Sequence, residues 1–195
     1  MFFRKIYKEI IRIFFPFCQF FPGTTGVIFR RLTIVNFFKK RGSNISLEIG
    51  IEITGFKNIK IGNNVHFARY SSIHANNDGE IKIGNNVAFN YNTNINAANK
   101  GVIEIGDDVT IGQNTVIRAS DHEYNNINVS IRYQGHTGGK IIIGKDVWIG
   151  ANCVITRNTR IGNHSIINAG SIVTRDVDAY SIAGGNPAKQ IKMIK

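Results

Sequence analysis

Along the second half of the chain the aliphatic positions recur every six residues. Ile105, Ile111 and Ile117 are six apart, and so are Ile143, Ile149, Ile155, Ile161, Ile167 and Val173. Glycine often follows the aliphatic residue (Gly106, Gly112, Gly144, Gly150, Gly162), and a small or β-branched residue often stands four after it (Thr115, Cys153, Thr159, Ser165, Ser171). A period of six is neither the spacing of a helix nor the alternation of an ordinary strand. A longer repeat encloses it. Ile59-Lys-Ile-Gly-Asn-Asn-Val65, Ile81-Lys-Ile-Gly-Asn-Asn-Val87 and Ile103-Glu-Ile-Gly-Asp-Asp-Val109 recur every 22 residues. Ile141-Ile-Ile-Gly-Lys-Asp-Val147 follows 38 residues on, 16 more than the period, so an insertion lies between residues 118 and 141.

One geometry satisfies both periods. Each hexad is a short strand plus a turn, and three hexads close a triangular coil of about 18 residues. The aliphatic residue of each hexad points into the prism and stacks on its equivalent in the next coil, roughly 4.8 Å away. Corner loops such as Asn77-Asp-Gly-Glu80 and Asn99-Lys-Gly-Val102 lengthen a coil to the observed repeat. Composition agrees. The chain has 34 Ile and 2 Leu, and β-branched Ile favours strands where Leu favours helices. With 20 Gly and 23 Asn it is rich in residues that tolerate the positive φ of tight corners. Hydrophobic residues at 43% and charged residues at 19% exclude general disorder. Residues 45–175 are therefore expected to be short parallel strands.

The charge is concentrated at one end. Residues 1–41 hold nine Lys/Arg against the single acid Glu9, whereas the rest of the chain is nearly balanced within a net charge of +11. Phe3, Ile6, Ile10, Ile13, Phe14 and Phe17 fall at helical spacing, with Arg4, Lys5, Lys8 and Arg12 on the other side, which predicts an amphipathic helix over about residues 2–15. Pro22-Gly-Thr-Thr-Gly26 interrupts it, and a second apolar and basic stretch follows at 27–41. Such a segment suits an anionic membrane surface, or alternatively a cap over one end of the prism. No nucleic-acid motif is visible. The chain accordingly divides into a basic N-terminal helical segment, 1–41, and a β-helix, 42–195, with a projecting loop at 119–140 and a C-terminal segment at 176–195. Cys18 and Cys153 form no framework and read as reduced thiols, consistent with a cytoplasmic protein. A signal peptide is not expected, since no small-residue cleavage site follows the apolar patch. No apolar run reaches the length of a spanning helix.

The hexads, together with Asp146-Val-Trp-Ile-Gly-Ala151 and Ala183-Gly-Gly-Asn-Pro-Ala-Lys189, resemble the hexapeptide-repeat acetyltransferases, in particular their sugar and xenobiotic branch. The resemblance covers about residues 45–195. It implies an all-β fold, a left-handed parallel β-helix, assembled as a homotrimer with acetyl-CoA as co-substrate and no metal. It also assigns roles. Acyl transfer needs a base, usually histidine. Of His66, His74, His122, His136 and His164, the resemblance places the catalytic one at His122, 17 residues after Ile105 and at the edge of the insertion. His136, within the insertion, is a candidate acceptor contact; His66 and His164 read as solvated corner residues, and His74 as lining a coil face. Asn92 and Asn94 match an acceptor-contacting Asn pair, although an asparagine ladder at the corners explains them as well. Ala151, Ala169 and Thr174 match positions that meet the pantetheine arm. Arg175, Lys189 and Lys192 match cations near the CoA phosphates, two of them lysines where arginine is common. Trp148 is expected beside the CoA cleft.

The activity implied is O-acetylation of a sugar hydroxyl in a bacterial surface polysaccharide or its lipid-linked precursor. Amino-sugar N-acetylation and xenobiotic acetylation are alternatives. A purely structural β-helix and a zinc carbonic anhydrase rank lower, the latter because the histidine spacing offers no set of three ligands.

Overall fold

The computed structural model describes residues 14–194. Almost all of the chain beyond residue 39 winds as a left-handed β-helix of about six turns. Its strands form three parallel sheets that make the faces of a triangular prism. Face A carries Lys40–Arg41, Ile59–Ile61, Glu80–Ile83, Val102–Ile105, Lys140–Ile143 and Thr159–Ile161. Face B carries Ser46–Leu47, His66–Phe67, Ala88–Phe89, Thr110–Ile111, Trp148–Ile149, Ile166–Ile167 and Ser181–Gly185, and ends on the antiparallel strand Ala188–Met193. Face C carries Glu52–Thr54, Ser72–His74, Asn94–Asn96, Val116–Arg118, Val154–Thr156 and Ile172–Val173.

The aliphatic register stacks as the repeat requires. Ile59 pairs with Ile81, Ile81 with Ile103, and Ile103 with Ile141 across the insertion. Ile105, Ile111, Ile143, Ile149, Ile155, Ile161 and Ile167 are all buried. Phe67 and Phe89 are fully buried and lie face to face, centroids 4.5 Å apart. The corners are columns of residues in left-handed conformation: Asn64, Asn86, Asp108, Asp146 and His164 between faces A and B, and Tyr70, Asn92, Asn114 and Asn152 between faces B and C. Asparagine and aspartate accept this conformation more readily than bulkier residues. Among these, His164 is a corner residue as the sequence suggests, bonded to Asp146 at 2.6 Å and stacked on Tyr180. His66 is not; it lies on a strand of face B beside Glu48.

The N-terminal segment closes the first coil. Most of the helix expected at 2–15 lies outside the described residues; residues 14–20 are helical, beyond Pro16. A helix at Gly23–Thr33 and a 3-10 turn at Ile34–Phe37 follow. Cys18, Ile34, Val35 and Phe38 are buried in one core with Ile45, Leu47 and Ile51 of the first coil. Burial pushes the Cys18 thiol above its ordinary pKa. The helix approaches closely because residue 26 is glycine: a Cβ there would lie 1.9 Å from the Phe21 carbonyl oxygen. Arg30, one of the nine cations of this segment, is fully buried. Its Nε donates to Leu47 O at 2.7 Å, and its Nη1 to Cys18 O at 3.0 Å and Phe21 O at 2.8 Å. A cation here satisfies carbonyls left open at the end of helical residues 14–20 and ties them to the first coil.

Candidate active site

The insertion leaves the prism at the corner between faces C and A. Ser120–His122 and His136–Gly138 pair as an antiparallel hairpin, with His122 directly opposite His136. The two rings are in contact, centroids 4.1 Å apart, and both residues are exposed. Sequence spacing alone gives no reason to bring these two histidines together; the hairpin does.

The base of the hairpin is fixed to the prism. Asp121 pairs with Arg157, which belongs to the next coil at the same corner. Arg118 Nε donates to Ser120 O at 2.9 Å, and Gly139 N to Ala119 O at 2.7 Å. Gly138 is required by contact with the coil below, since a Cβ would lie 2.5 Å from the Lys100 carbonyl oxygen. The tip is stitched by Gln134, whose side chain bonds Asn126 and Val129. Tyr124, Ile127, Ile131 and Tyr133 project from it and are exposed. A general base needs one ring nitrogen held as donor. Neither a carbonyl nor a carboxylate takes that role for His122 among the described residues; its neighbour is the His136 ring, and Asp121 faces Arg157. Arg118, Arg157 and Thr156 were not singled out from the sequence, yet they surround the hairpin base. The signal available was position: Arg118 is the outward residue just before the repeat breaks.

The remaining candidates fall at three places. Thr174 and Arg175 share the C–A corner column with His122, because Thr174 continues the outward row of Arg118 and Thr156. Asn92, Ala151 and Ala169 lie along the B–C corner, one face away. Asn92 Nδ2 donates to Asn114 Oδ1 at 2.9 Å, and Asn114 Nδ2 to Asn152 Oδ1 at 3.1 Å, so the amide ladder is formed. Asn94 points outward on face C, donating to Ser72 Oγ at 2.7 Å. Trp148 and Lys192 belong to face B, in a row Thr110–Trp148–Ile166–Ile182–Lys192 set by the strand register. Lys189 stands opposite Gly184 on the same hairpin. That row lines two surface cavities. One, of about 460 Å³, is bounded by Asp108, Asp146, Trp148, His164, Ile166 and Ile194. The other, of about 540 Å³, is bounded by Ile166, Ile182, Lys192, Met193 and Ile194. Face B thus offers an apolar strip with Lys192 at its far end and the carboxylates of Asp108 and Asp146 at the corner beside it. Among the described residues no three His, Cys, Asp or Glu side chains converge as a metal site.

Residues 140–175 match the bacterial transferase hexapeptide (six repeats) model. Chloramphenicol acetyltransferase of Klebsiella aerogenes is 48% identical over 54 residues, which is 28% of this chain and 26% of that enzyme. The chain thus matches about a quarter of that curated relative. Among solved structures, a variant of AntD, an N-acyltransferase from Bacillus cereus, in complex with dTDP and coenzyme A, superposes with a TM-score of 0.73 at 25% identity, covering 91% of each chain. Galactoside acetyltransferase in complex with coenzyme A superposes with a TM-score of 0.62 at 26% identity, covering 92% of this chain and 76% of that one. The chain therefore carries the hexapeptide repeat of bacterial transferases on the left-handed β-helix of known acyltransferases.

Proposed function

We propose that this hexapeptide-repeat protein is an acetyl-CoA-dependent O-acetyltransferase. Its acceptor would be a sugar hydroxyl of a bacterial surface polysaccharide or its lipid-linked precursor, with His122 as general base. One observation carries the reading: where the repeat is interrupted, a rigidly based hairpin projects His122 from the prism in contact with His136. An imidazole on such a projection is open to both substrates. It takes the proton of the acceptor hydroxyl as the oxygen attacks the thioester carbonyl. The C–S bond then breaks, and the proton returns to the departing CoA sulfur, so no acyl-enzyme is needed.

The donor strip on face B and the amides of the B–C corner stand one face or more from His122. A single site containing all of them therefore needs two chains, and we propose a homotrimer whose hairpin from one subunit meets the prism of the next. Asn92, Asn94 and His136 would face the acceptor, and Trp148, Ala151, Ala169, Thr174, Arg175, Lys189 and Lys192 the acetyl-CoA. The location that fits a lipid-linked acceptor is the cytoplasmic side of the cell membrane. Acetylation of an amino sugar on a nucleotide carrier is the second reading, favoured by the likeness to the dTDP complex of an N-acyltransferase.

The test is thiol release from acetyl-CoA over a panel of sugars, nucleotide sugars and lipid-linked oligosaccharides. His122→Ala is expected to lower kcat by about 10²–10⁴ while acetyl-CoA binding is kept. His136→Ala is expected to act on acceptor KM. A folded His122→Ala protein within about threefold of the parent kcat refutes the assignment.

A further inference from the structure

We infer that the N-terminal cap is a docking surface for an anionic lipid bilayer. The inference goes beyond the catalytic reading and does not depend on it. The inner side of the cap is fully used, with Cys18, Arg30, Ile34 and Val35 buried on the first coil. Its outer side is apolar all the same. Phe17 is 58% exposed and Leu32 67%, with Phe14, Phe20 and Ile28 exposed as well. Several of them meet around Phe29. Phe14 and Phe17 both pack edge-on against Phe29, which precedes Leu32 by one helical turn and neighbours Ile28. A solvated helix of a globular protein turns charged and polar residues outward; this one turns aromatic and aliphatic side chains outward.

The charges beside that face have one sign. No Asp or Glu occurs between Glu9 and Glu48. Arg31 borders Ile28 and Leu32 on the same helix, and Lys39, Lys40 and Arg41 follow it, all exposed. Among the described residues no carboxylate pairs with any of these four. Lys40 also stacks on Lys60 in the face A register. Apolar side chains that enter the acyl boundary, ringed by cations that meet phosphate headgroups, are the chemistry of an interfacial helix. A second protein copy would bring the same four cations against themselves, which charge complementarity disfavours.

The arrangement has a dimension. His122 leaves the prism after the fourth strand of face C, three strand spacings above the first coil, or about 14 Å. The cap adds about one helix diameter, roughly 10 Å, between the first coil and the bilayer, so the hairpin stands about 25 Å above the headgroups, within reach of a glycan whose lipid remains embedded.

The experiment is sedimentation of the full-length protein with vesicles of phosphatidylglycerol and phosphatidylcholine, compared with phosphatidylcholine alone, without substrate. Binding is expected only to the anionic vesicles, and it should weaken as salt rises from about 0.02 to 0.5 M. Lys39→Gln and Lys40→Gln should each weaken it roughly fivefold. Phe17→Ser with Leu32→Ser should weaken it about tenfold or more without loss of folded structure, since both side chains are already exposed. Lys145→Gln, far from the cap, should leave it unchanged. The inference is overturned if the protein ignores anionic vesicles at low salt, or if the cap variants bind as the parent does. It is also overturned if the face instead mediates self-association that Leu32→Ser abolishes. None of these outcomes bears on thiol release, so the catalytic reading stands or falls separately.

Discussion

Arg30→Met tests whether the N-terminal helices are part of the folded core or an appendage. In the parent, a fully buried guanidinium donates to three carbonyls within 3.0 Å, from Leu47, Cys18 and Phe21. Burial lowers its pKa from the ordinary value, against the weaker opposing pull of Cys18 and Glu48, yet arginine stays charged in proteins. Methionine fills similar volume and removes all three donors. Each carbonyl stranded in the interior costs about 1–3 kcal/mol, so the gross loss is about 3–9 kcal/mol. Part of that is offset because no charge need be desolvated, which is itself worth several kcal/mol. A net loss of about 3 kcal/mol is expected, a large share of an ordinary stability of about 5–15 kcal/mol. Repeat folds are held by neighbour contacts, so the loss should be felt locally. Urea unfolding should show the destabilisation, and amide exchange should accelerate in the cap and at residues 45–53 far more than at residues 141–173. Arg30→Lys, which keeps the charge but not the fork, should recover only part. A loss below about 1 kcal/mol, or exchange that rises evenly along the prism, would refute the account.

Two further outcomes follow from groups whose protonation the fold displaces. Cys18 and Cys153 are fully buried, and burial pushes both thiols above their ordinary pKa. Neither should react with a thiol reagent at neutral pH until denaturant is added, and rapid labelling of either in the native protein would contradict the packing. Glu104 accepts from Lys82 and Lys140 at 2.9 Å each, and these bonds hold its carboxyl below the ordinary range. A depressed carboxylate contributes stability above its unfolded pKa, near 4.3, and loses it as pH falls through the folded value. Stability measured from pH 6 downward should therefore fall more gently in Glu104→Gln than in the parent; identical profiles would exclude the contribution.

The prism was legible because its constraint is local and repeated. A narrow triangular interior accepts one aliphatic residue per hexad, so the positions of Ile143 through Val173 display the cross-section directly. The insertion was legible only as an interruption. Nothing in residues 119–139 announces that His122 and His136 will stand opposite each other, because that depends on the register of a two-strand hairpin held by Arg157 from another coil. The cap was half legible. The sequence marks a second apolar and basic stretch at 27–41, but Arg30 resembles every other cation in the segment until the carbonyls of Cys18, Phe21 and Leu47 converge on it. The corner amides are the opposite case. Asn92 in the acceptor role and Asn92 in a ladder read alike in sequence, and the bonds to Asn114 and Asn152 supply the second meaning without excluding the first.

Those ladders also have a direction. At the A–B corner Asn44 donates to Asn64, Asn64 to Asn86, and Asn86 to Asp108, each amide giving its hydrogen to the coil above. The parallel series from Asn63 through Asn85 ends likewise on Asp107. A carboxylate only accepts, so it terminates a donor chain without leaving a hydrogen unused. Every intermediate rung is chemically the same as its neighbours. Copying or deleting one 22-residue coil below the carboxylates therefore restores the same amide ladders at this corner and keeps isoleucine stacked on isoleucine along face A. What changes is length: the hairpin moves by about 4.8 Å relative to the cap for each coil. The lower prism is in effect a ruler with graduations along one edge, and heredity can reset the distance between the two ends of this molecule while that edge keeps the bonds it has.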